Sequence, residues 1–535
     1  MNRGSVIGAE RLLLLFLISL TVVLAGCSKA AKDYNVLFIS LDTTRSDYVD
    51  SGGALGARAC TPELRRFAQS AVVFERAYCT IPQTLPSHLS MFTARFPHEC
   101  NVLSNQEKFD HRFRMLQEVL KDKGYRTAGI ISLESLASGS GISRGFDRYS
   151  ERLKDGTFYM VPADRITDEA AQVLSRAKEQ KFFLFVHYSD PHSPYAPPSA
   201  SADFRIFFDQ VPIVTFNAYQ GAVLRKEIPL SPGTHEVCFK LESTTQDFEL
   251  FVLSKLEFSE GCAVSMQNIE YSDGGSYRLR GPEGKIAVKC SRPGYLRLFQ
   301  VIPSLTWKAA IDYYRLEVEY MDRHVGRLLR MCETEGLLED TVVVIAGDHG
   351  EGLGERERYF GHVRYLNQQM VWVPLILRLP RVEPARIKWP VSAIAIAPTV
   401  LESLGIDDPG FSGRESLMES IRYGVERARP VRTYAFRPSA VTDKLSIVSW
   451  PYQCIRQREL DGTVTTEFYN LALSESYRKM DEYSQMVASR NAPDVYRSLL
   501  ELSRKAEQVF ERNTRDERRG LDRQADGLEA LGYVQ

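Results

Sequence analysis

Three short apolar runs, each ending in carboxylates or imidazoles, constrain the fold of this chain more than any other feature. The first, Asn35-Val-Leu-Phe-Ile-Ser-Leu41, leads into Asp42. The second, Phe182-Phe-Leu-Phe-Val186, leads into His187, Asp190 and His192. The third, Thr341-Val-Val-Val-Ile-Ala346, leads into Asp348 and His349. β-Branched and aromatic runs of this length read as strands buried on both faces of a parallel sheet. Open α/β sheets bind ligands beyond the carboxyl ends of their strands. Side chains as distant in sequence as Asp42 and His349 can therefore meet at one sheet edge, as a metal site requires.

Around these runs strands and helices alternate. Thr61-Pro62 opens a helix, with Pro in the first turn. A short strand is expected over 126–131 and a helix over 163–177. The stretch 204–303 reads differently. It alternates apolar and polar residues in short runs, broken by turns at Ser231-Pro-Gly233, Asp273-Gly-Gly275 and Arg280-Gly-Pro-Glu-Gly284. That pattern predicts an inserted β-sandwich or, failing that, an elaborated loop system. The α/β pattern resumes with a long helix over 314–337, a strand over 371–377 and a helix over 391–404. Within the 371–377 strand, Pro374 hints at an edge or a bulge. A smaller C-terminal unit, 425–535, follows, ending in a charged helical tail.

The 535 residues are 44% hydrophobic, enough for two to four domains. Lys plus Arg (67) nearly cancels Asp plus Glu (68), so nothing in the balance points to nucleic acid. At the N-terminus, Arg3 and Arg11 precede an apolar stretch from Leu12 to Ala25 that is short for a membrane span. It ends in Leu24-Ala-Gly-Cys27, which resembles a bacterial lipoprotein signal. The resemblance implies removal of 1–26, a lipid on Cys27 and anchorage to the cell envelope outside the cytoplasm; Ser28 favours the outer membrane in a Gram-negative host. An ordinary signal or short anchor is the alternative. Eight cysteines would remain beyond Cys27, with no paired zinc-ligand spacing, in a compartment that permits disulfides.

Thr84-Leu-Pro-Ser-His88 opens an apolar stretch, with Pro86 suited to a first helical turn. Thr84 would sit at a helix N-terminus, where N–H groups and the dipole favour an anion. A hydroxyl there acts as a nucleophile if a metal lowers its pKa, though most such threonines are only caps.

Taken together these segments resemble the sulfatases, within the alkaline phosphatase superfamily. The matching segments are 35–47, Thr61-Pro-Glu-Leu64, Pro86-Ser-His-Leu-Ser-Met-Phe-Thr-Ala-Arg95 and Asp190-Pro-His-Ser-Pro-Tyr195. Gly347-Asp-His-Gly-Glu-Gly-Leu-Gly354, Gly361-His362, Val373-Pro-Leu-Ile376, Glu467-Phe-Tyr-Asn-Leu471 and Ala530-Leu-Gly-Tyr-Val534 follow in order. The resemblance implies a central, mostly parallel sheet flanked by helices. That α/β domain spans 33–203 and 304–424, with the β-rich insertion and a smaller C-terminal α+β subdomain. By resemblance Asp42, Asp348 and His349 ligate a divalent metal ion (Ca, Mn, Mg or Zn), and Thr84 occupies the nucleophile position. His192 and His362 suit leaving-group protonation or substrate contact. Arg45 and His88 are expected substrate contacts, a structural salt bridge being the alternative for Arg45.

The departures are chemical. Sulfatases carry Cys or Ser at the nucleophile position and oxidise it to formylglycine; Thr84 cannot yield that aldehyde. Thr43 stands where many have a second metal-site Asp, and His88 where they have Arg. No Lys-Trp-His segment occurs near Ser132 to Ser135. These tilt the expected chemistry toward phosphate or phosphonate esters, glycan- or lipid-linked, with hydrolysis or transfer to an acceptor. A sulfate-ester hydrolase working without formylglycine is the rival enzyme. A catalytically silent, surface-anchored glycan-binding protein is the rival from another class.

Overall fold

The computed structural model describes residues 34–471 and 497–506. Within these it omits 52–57, 110–111, 152–159, 177–179, 194, 196, 198–201, 218–225, 245–247, 272–276, 281–282, 306, 356–358, 364, 427–429, 436–442 and 459–461. The proposed lipidation site Cys27, its preceding apolar stretch and the closing segment 530–534 lie outside the described residues. No helix among the described residues is long and apolar enough to cross a membrane.

The three apolar runs are neighbouring strands. β1 (Asn35–Leu41) lies in the middle of an eight-stranded sheet. The other strands are β2 (Val72–Phe74), β3 (Arg126–Ile130), β4 (Arg148–Ser150), β5 (Phe182–Tyr188), and, after the insertion, β16 (Thr341–Gly347), β17 (Leu375–Arg378) and β18 (Ala385–Ile387). The order is β18-β2-β17-β16-β1-β5-β3-β4, with β1 parallel to both β16 and β5. β17 runs antiparallel to β16 and to β2, so the sheet is mostly rather than wholly parallel.

Alternate residues of β1 serve opposite faces, as a strand's period of two dictates. Val36 and Phe38 pack with Phe183, Phe185, Val342 and Val344 on one face. Leu37, Ile39 and Leu41 pack with Leu184, Val186, Val343 and Ile345 on the other. The second face is covered by α1 (Pro62–Ala68), α3 (Ala163–Arg176) and α4 (Trp307–Thr334). The first face takes α2 (Thr84–Thr93), through Leu85, Leu89, Met91 and Phe92. Each such buried side chain contributes roughly 2 kcal/mol. In register, Leu41 stands opposite Gly347 on one side and Tyr188 on the other. Asp42, Asp348 and Ser189 therefore leave the sheet at one level.

The insertion is a sandwich of two five-stranded antiparallel sheets spanning 202–305, slightly wider than the expected 204–303. Its strands are β6 (Ala202–Phe208), β7 (Val211–Asn217), β8 (Lys226–Leu230), β9 (Gly233–Thr244), β10 (Phe248–Phe258), β11 (Cys262–Gln267), β12 (Ile269–Tyr271), β13 (Tyr277–Arg280), β14 (Glu283–Cys290) and β15 (Gly294–Leu305). One sheet runs β11-β14-β9-β6-β7, the other β12-β13-β10-β15-β8. Val237, Phe239, Ile286, Val288, Ile228 and Leu296 are part of their shared core. A disulfide joins Cys262 to Cys290 across β11 and β14. The same core continues into Tyr48, Tyr195, Tyr314 and Leu353 of the α/β domain, so the sandwich is packed onto the site's flank.

Three sequence expectations are corrected. The long helix α4 begins at Trp307, not at 314. The run 371–377 is not one strand: Trp372–Val373 pairs with Ala77–Tyr78, whereas β17 joins the main sheet. Pro374, which has no N–H for a ladder, stands at the break. The stretch 391–404 starts as a short strand, Val391–Ser392, and becomes α-helical only at α5 (Ile396–Leu404). The C-terminal unit is an antiparallel sheet of β19 (Val431–Ala435), β20 (Asp443–Ser449), β21 (Tyr452–Arg458) and β22 (Val464–Asn470), with a helical segment at 497–506.

Candidate active site

Asp42, Asp348 and His349 meet at the carboxyl edge of β1 and β16, and all three are fully buried. Gly350 is required beside them, because a Cβ there would collide with the Gln369 carbonyl. Asp348 Oδ1 accepts from the backbone N–H of His349 (2.7 Å) and of Thr43 (3.1 Å). Thr43 makes that bond from a left-handed conformation, φ 50°, which is costly for a β-branched residue. Asp348 Oδ2 and both Asp42 oxygens are buried and accept no hydrogen bond. His349 gives its Nδ1–H to the Gly350 carbonyl at 3.0 Å. Its Nε2 then lies 3.4 Å from Asp348 Oδ2 and 3.8 Å from Asp42 Oδ1.

The electrostatics of this cluster are unbalanced. Burial, then the charge of Asp42, pushes the Asp348 carboxyl well above its ordinary range. Burial opposes ionisation of Asp42 as well, but His187, then His192 and His349, hold its carboxyl low. Burial pushes His349 well below 6.5, with His362 adding to the effect, so its Nε2 lone pair is available. Two buried carboxylates this close cannot both ionise without an added cation. Three orphaned oxygens and one available nitrogen, with one ligand atom from each of Asp42, Asp348 and His349 within 4.8 Å of the others, fit a divalent metal ion.

Thr84 faces this cluster. It is the first residue of α2, after Gln83 in extended conformation, with Pro86 in the first turn. Its Oγ1 lies 3.4 Å from His349 Nε2. Ser87 Oγ donates to the Asp348 carbonyl at 2.7 Å, tying the start of the helix to the Gly347–Gly350 turn. The expected roles of His88 and Arg45 are not what the structure shows. His88 is fully buried, its Nδ1–H bonded to the Thr84 carbonyl and its Nε2 accepting from Ser40 Oγ, both at 2.7 Å. Burial, then His187, lowers it to about 3, so it is a neutral strut between α2 and β1, not a substrate contact. Arg45 makes a two-point contact with Asp47, a bond to the Glu351 carbonyl and a pair with the Glu355 carboxylate. Its guanidinium is taken up in a structural salt bridge, the alternative raised by the sequence.

His192 and His362 are brought to the site. The His362 ring stands 4.3 Å from that of His349 and 5.3 Å from that of His192. His362 Nδ1 bonds Glu351 at 2.9 Å, and Tyr195 donates to the other oxygen of that buried carboxylate at 3.1 Å. Burial works against the charged ring, but Glu351 prevails and raises the His362 pKa. His192 gives its Nδ1–H to the Ser193 carbonyl at 2.6 Å, and burial lowers its pKa. Asp190 is not part of the cluster; it accepts from the Ala163 N–H at the start of α3. Sequence reasoning gave no role to Glu351 and named His187 only as one of the polar residues at the end of its strand. Glu351 sits inside the Gly-rich motif, where its short spacing from His349 was the available signal. His187, expected just beyond its strand, lies inside β5.

An α/β sheet with a hydroxyl, two carboxylates and three imidazoles gathered at its carboxyl edge fits a hydrolase of ester bonds. The particular family is shown by comparison: the description Sulfatase matches residues 34–406, and the chain belongs to the sulfatase family. It is 24% identical to an N-acetylglucosamine-6-O-sulfatase of Bacteroides thetaiotaomicron over 431 residues, 72% of this chain and 71% of that protein. Two solved structures share the fold. One, in complex with its substrate D-glucosamine-2-N,6-O-disulfate, superposes with TM-score 0.61 at 16% identity, covering 90% of this chain and 99% of that one. The other, a phosphonate monoester hydrolase from Silicibacter pomeroyi, gives TM-score 0.58 at 17% identity, covering 90% and 96%.

Proposed function

We propose that this chain is a metal-dependent esterase in which Thr84 attacks the sulfur or phosphorus of a sulfate, phosphate or phosphonate ester. The observation that carries the reading is the placement of Thr84 Oγ1 3.4 Å from His349 Nε2, which itself stands 3.4 Å from Asp348 Oδ2 and 3.8 Å from Asp42 Oδ1. Asp42, Asp348 and His349 would hold the cation. When bound, it lowers the pKa of the Thr84 hydroxyl and offsets charge on the substrate's oxygens. Thr84 Oγ1 forms the new bond as the ester oxygen departs. His362, whose protonated form Glu351 favours, gives the departing oxygen its proton. His192, neutral and with Nδ1–H committed to Ser193, accepts a proton from the water that then cleaves the Thr84 ester. A threonine ester has no second hydroxyl to expel the oxyanion, so water or an acceptor alcohol must attack it. That requirement favours phosphonate and phosphate esters. The named substrates of the relatives support a saccharide as the group carrying the ester.

The reading is tested with purified protein on aryl sulfate, phosphate monoester, phosphodiester and phosphonate ester, with and without chelator. Activity abolished by chelation and restored by a divalent ion is expected, strongest on a phosphorus ester. Turnover that survives complete metal removal contradicts the reading. We also propose a lipid anchor at Cys27, supported by Leu24-Ala-Gly-Cys27. Labelled fatty acid should enter the wild type and be absent from Cys27→Ala; equal labelling of both removes the anchor.

A further inference from the structure

One phenol holds the turn that aims a carboxylate of the site. Asp348 Oδ1 accepts the backbone N–H groups of His349 and Thr43, and Oδ2 is thereby left facing His349 Nε2 at 3.4 Å. Carboxylates that ligate metals are themselves hydrogen-bonded, and those bonds decide which oxygen faces the ion. Thr43 makes its bond from φ 50°, a conformation that a β-branched residue keeps only where its surroundings over-determine it. Tyr314 supplies that constraint. Its hydroxyl donates to the Thr43 carbonyl at 2.8 Å and accepts from the Arg45 N–H at 3.0 Å, so one side chain brackets the turn. Thr44 Oγ1 adds a bond within the turn, donating to the Asp42 carbonyl at 3.1 Å. Tyr314 is fully buried on α4, the helix that starts at Trp307, just past the last strand of the sandwich. Its ring meets Tyr48 edge-on at 4.9 Å and Tyr195 at 5.7 Å, in the apolar core that continues into the sandwich. Moving the ring off the turn would open that core.

We propose that Tyr314 is a positioning residue for the cation site: its hydroxyl keeps Thr43 in the left-handed conformation and so sets the Asp348 carboxylate before the cation arrives. The proposal rests on the reading that Asp42, Asp348 and His349 hold a cation. Tyr314 acts through backbone groups and is not a ligand. Without its hydroxyl, the Thr43 carbonyl and the Arg45 N–H lose a partner inside the protein. Thr43 then relaxes to a negative φ, and its N–H leaves Asp348 Oδ1. The inserted sandwich thereby has a share in the site, because the core it forms with Tyr314 holds the phenol in place.

The test uses the full-length protein, stripped by chelation and titrated calorimetrically with manganese(II), zinc and calcium; the tightest binder then serves for the variants. Tyr314→Phe keeps the ring and removes the hydroxyl. It should weaken cation binding about 10- to 100-fold. Adding Thr43→Gly to Tyr314→Phe should restore most of that loss, because glycine takes a positive φ readily and no longer needs the clamp. Unchanged affinity in Tyr314→Phe overturns the proposal, even where the melting temperature falls, which is the result of a merely structural tyrosine. So does an affinity lost in Tyr314→Phe and not recovered with Thr43→Gly, since Tyr314 then acts by another route. If Tyr314→Phe does not fold, amide hydrogen exchange at Arg45 in the wild type decides. Slow exchange in the metal-free protein is expected; exchange that slows only when the cation binds contradicts a turn set in advance. A wild type that binds none of the three ions overturns the underlying reading as well, whereas tight binding that ignores Tyr314→Phe overturns only the role of Tyr314.

Discussion

Asp348 and Asp209 meet their surroundings on opposite terms. Asp348, at the edge of the central sheet, is fully buried beside Asp42, and three of the pair's four oxygens accept no hydrogen bond. Asp209, in the inserted sandwich, is largely exposed and accepts from His235 Nδ1 at 2.7 Å and from the Glu236 N–H at 2.8 Å. The sandwich also carries the Cys262–Cys290 disulfide, whereas Cys60, Cys79, Cys100, Cys332 and Cys454 of the surrounding structure are buried free thiols. In the sandwich, the charged groups of Asp209 and His235 are paired and a disulfide adds a crosslink. The sheet edge retains charge repulsion and a strained Thr43, which a functional site tolerates because the rest of the core holds it in place.

If that contrast is right, substitutions in the two regions separate activity from stability. The largest effect is expected at Thr84: Thr84→Ala should lower kcat/KM by about 10³-fold or more, about 4 kcal/mol, with an unchanged melting temperature. Thr84→Ser should retain part of the activity. Next, Cys262→Ser opens a crosslink between residues 28 apart. It should cost about 3 kcal/mol in chemical denaturation while leaving turnover of the folded protein intact. A smaller effect of opposite sign is expected for Asp348→Asn in the metal-free protein. Replacing a carboxyl that burial beside Asp42 forces to stay protonated should raise its stability by about 1–2 kcal/mol near neutral pH, and a divalent ion should no longer raise the melting temperature. A metal-free Asp348→Asn less stable than wild type would break the contrast. The smallest effect belongs to His235, whose pKa Asp209 raises above 6.5. Its contribution is present below 6.5 and fades as pH rises through the raised value. The melting-temperature deficit of His235→Gln should therefore be larger at about pH 5.5 than at about pH 9.

Much of the central sheet was legible in the sequence because strands buried on both faces leave unbroken apolar runs, as at 35–41 and 341–346. Asp42, Asp348 and His349 stand at the ends of such elements, where their residue types conflict with a purely structural role; Thr84 reads equally as a helix cap there and was singled out by the family resemblance. His88 and Arg45 misled because their partners, Ser40 and Glu355, are remote in sequence and only tertiary packing pairs them. His187 was visible as an imidazole after the run 182–186, but its partners Ser132 and Asp42 come from other elements that local pattern does not pair with it. The break at Pro374 was marked by the proline, but its result, one run shared between two sheets, depends on pairing partners at 77–78 that local pattern does not reveal.

The central claim is that Thr84 forms a covalent ester during turnover. The direct measurement is mass spectrometry of the Thr84 peptide after an acid quench during steady-state hydrolysis of a good phosphorus or sulfate ester. One phosphoryl, phosphonyl or sulfuryl group on Thr84 is predicted, absent from Thr84→Ala. An unmodified Thr84 peptide, together with near-normal turnover in Thr84→Ala, would contradict the account and point to direct attack by water.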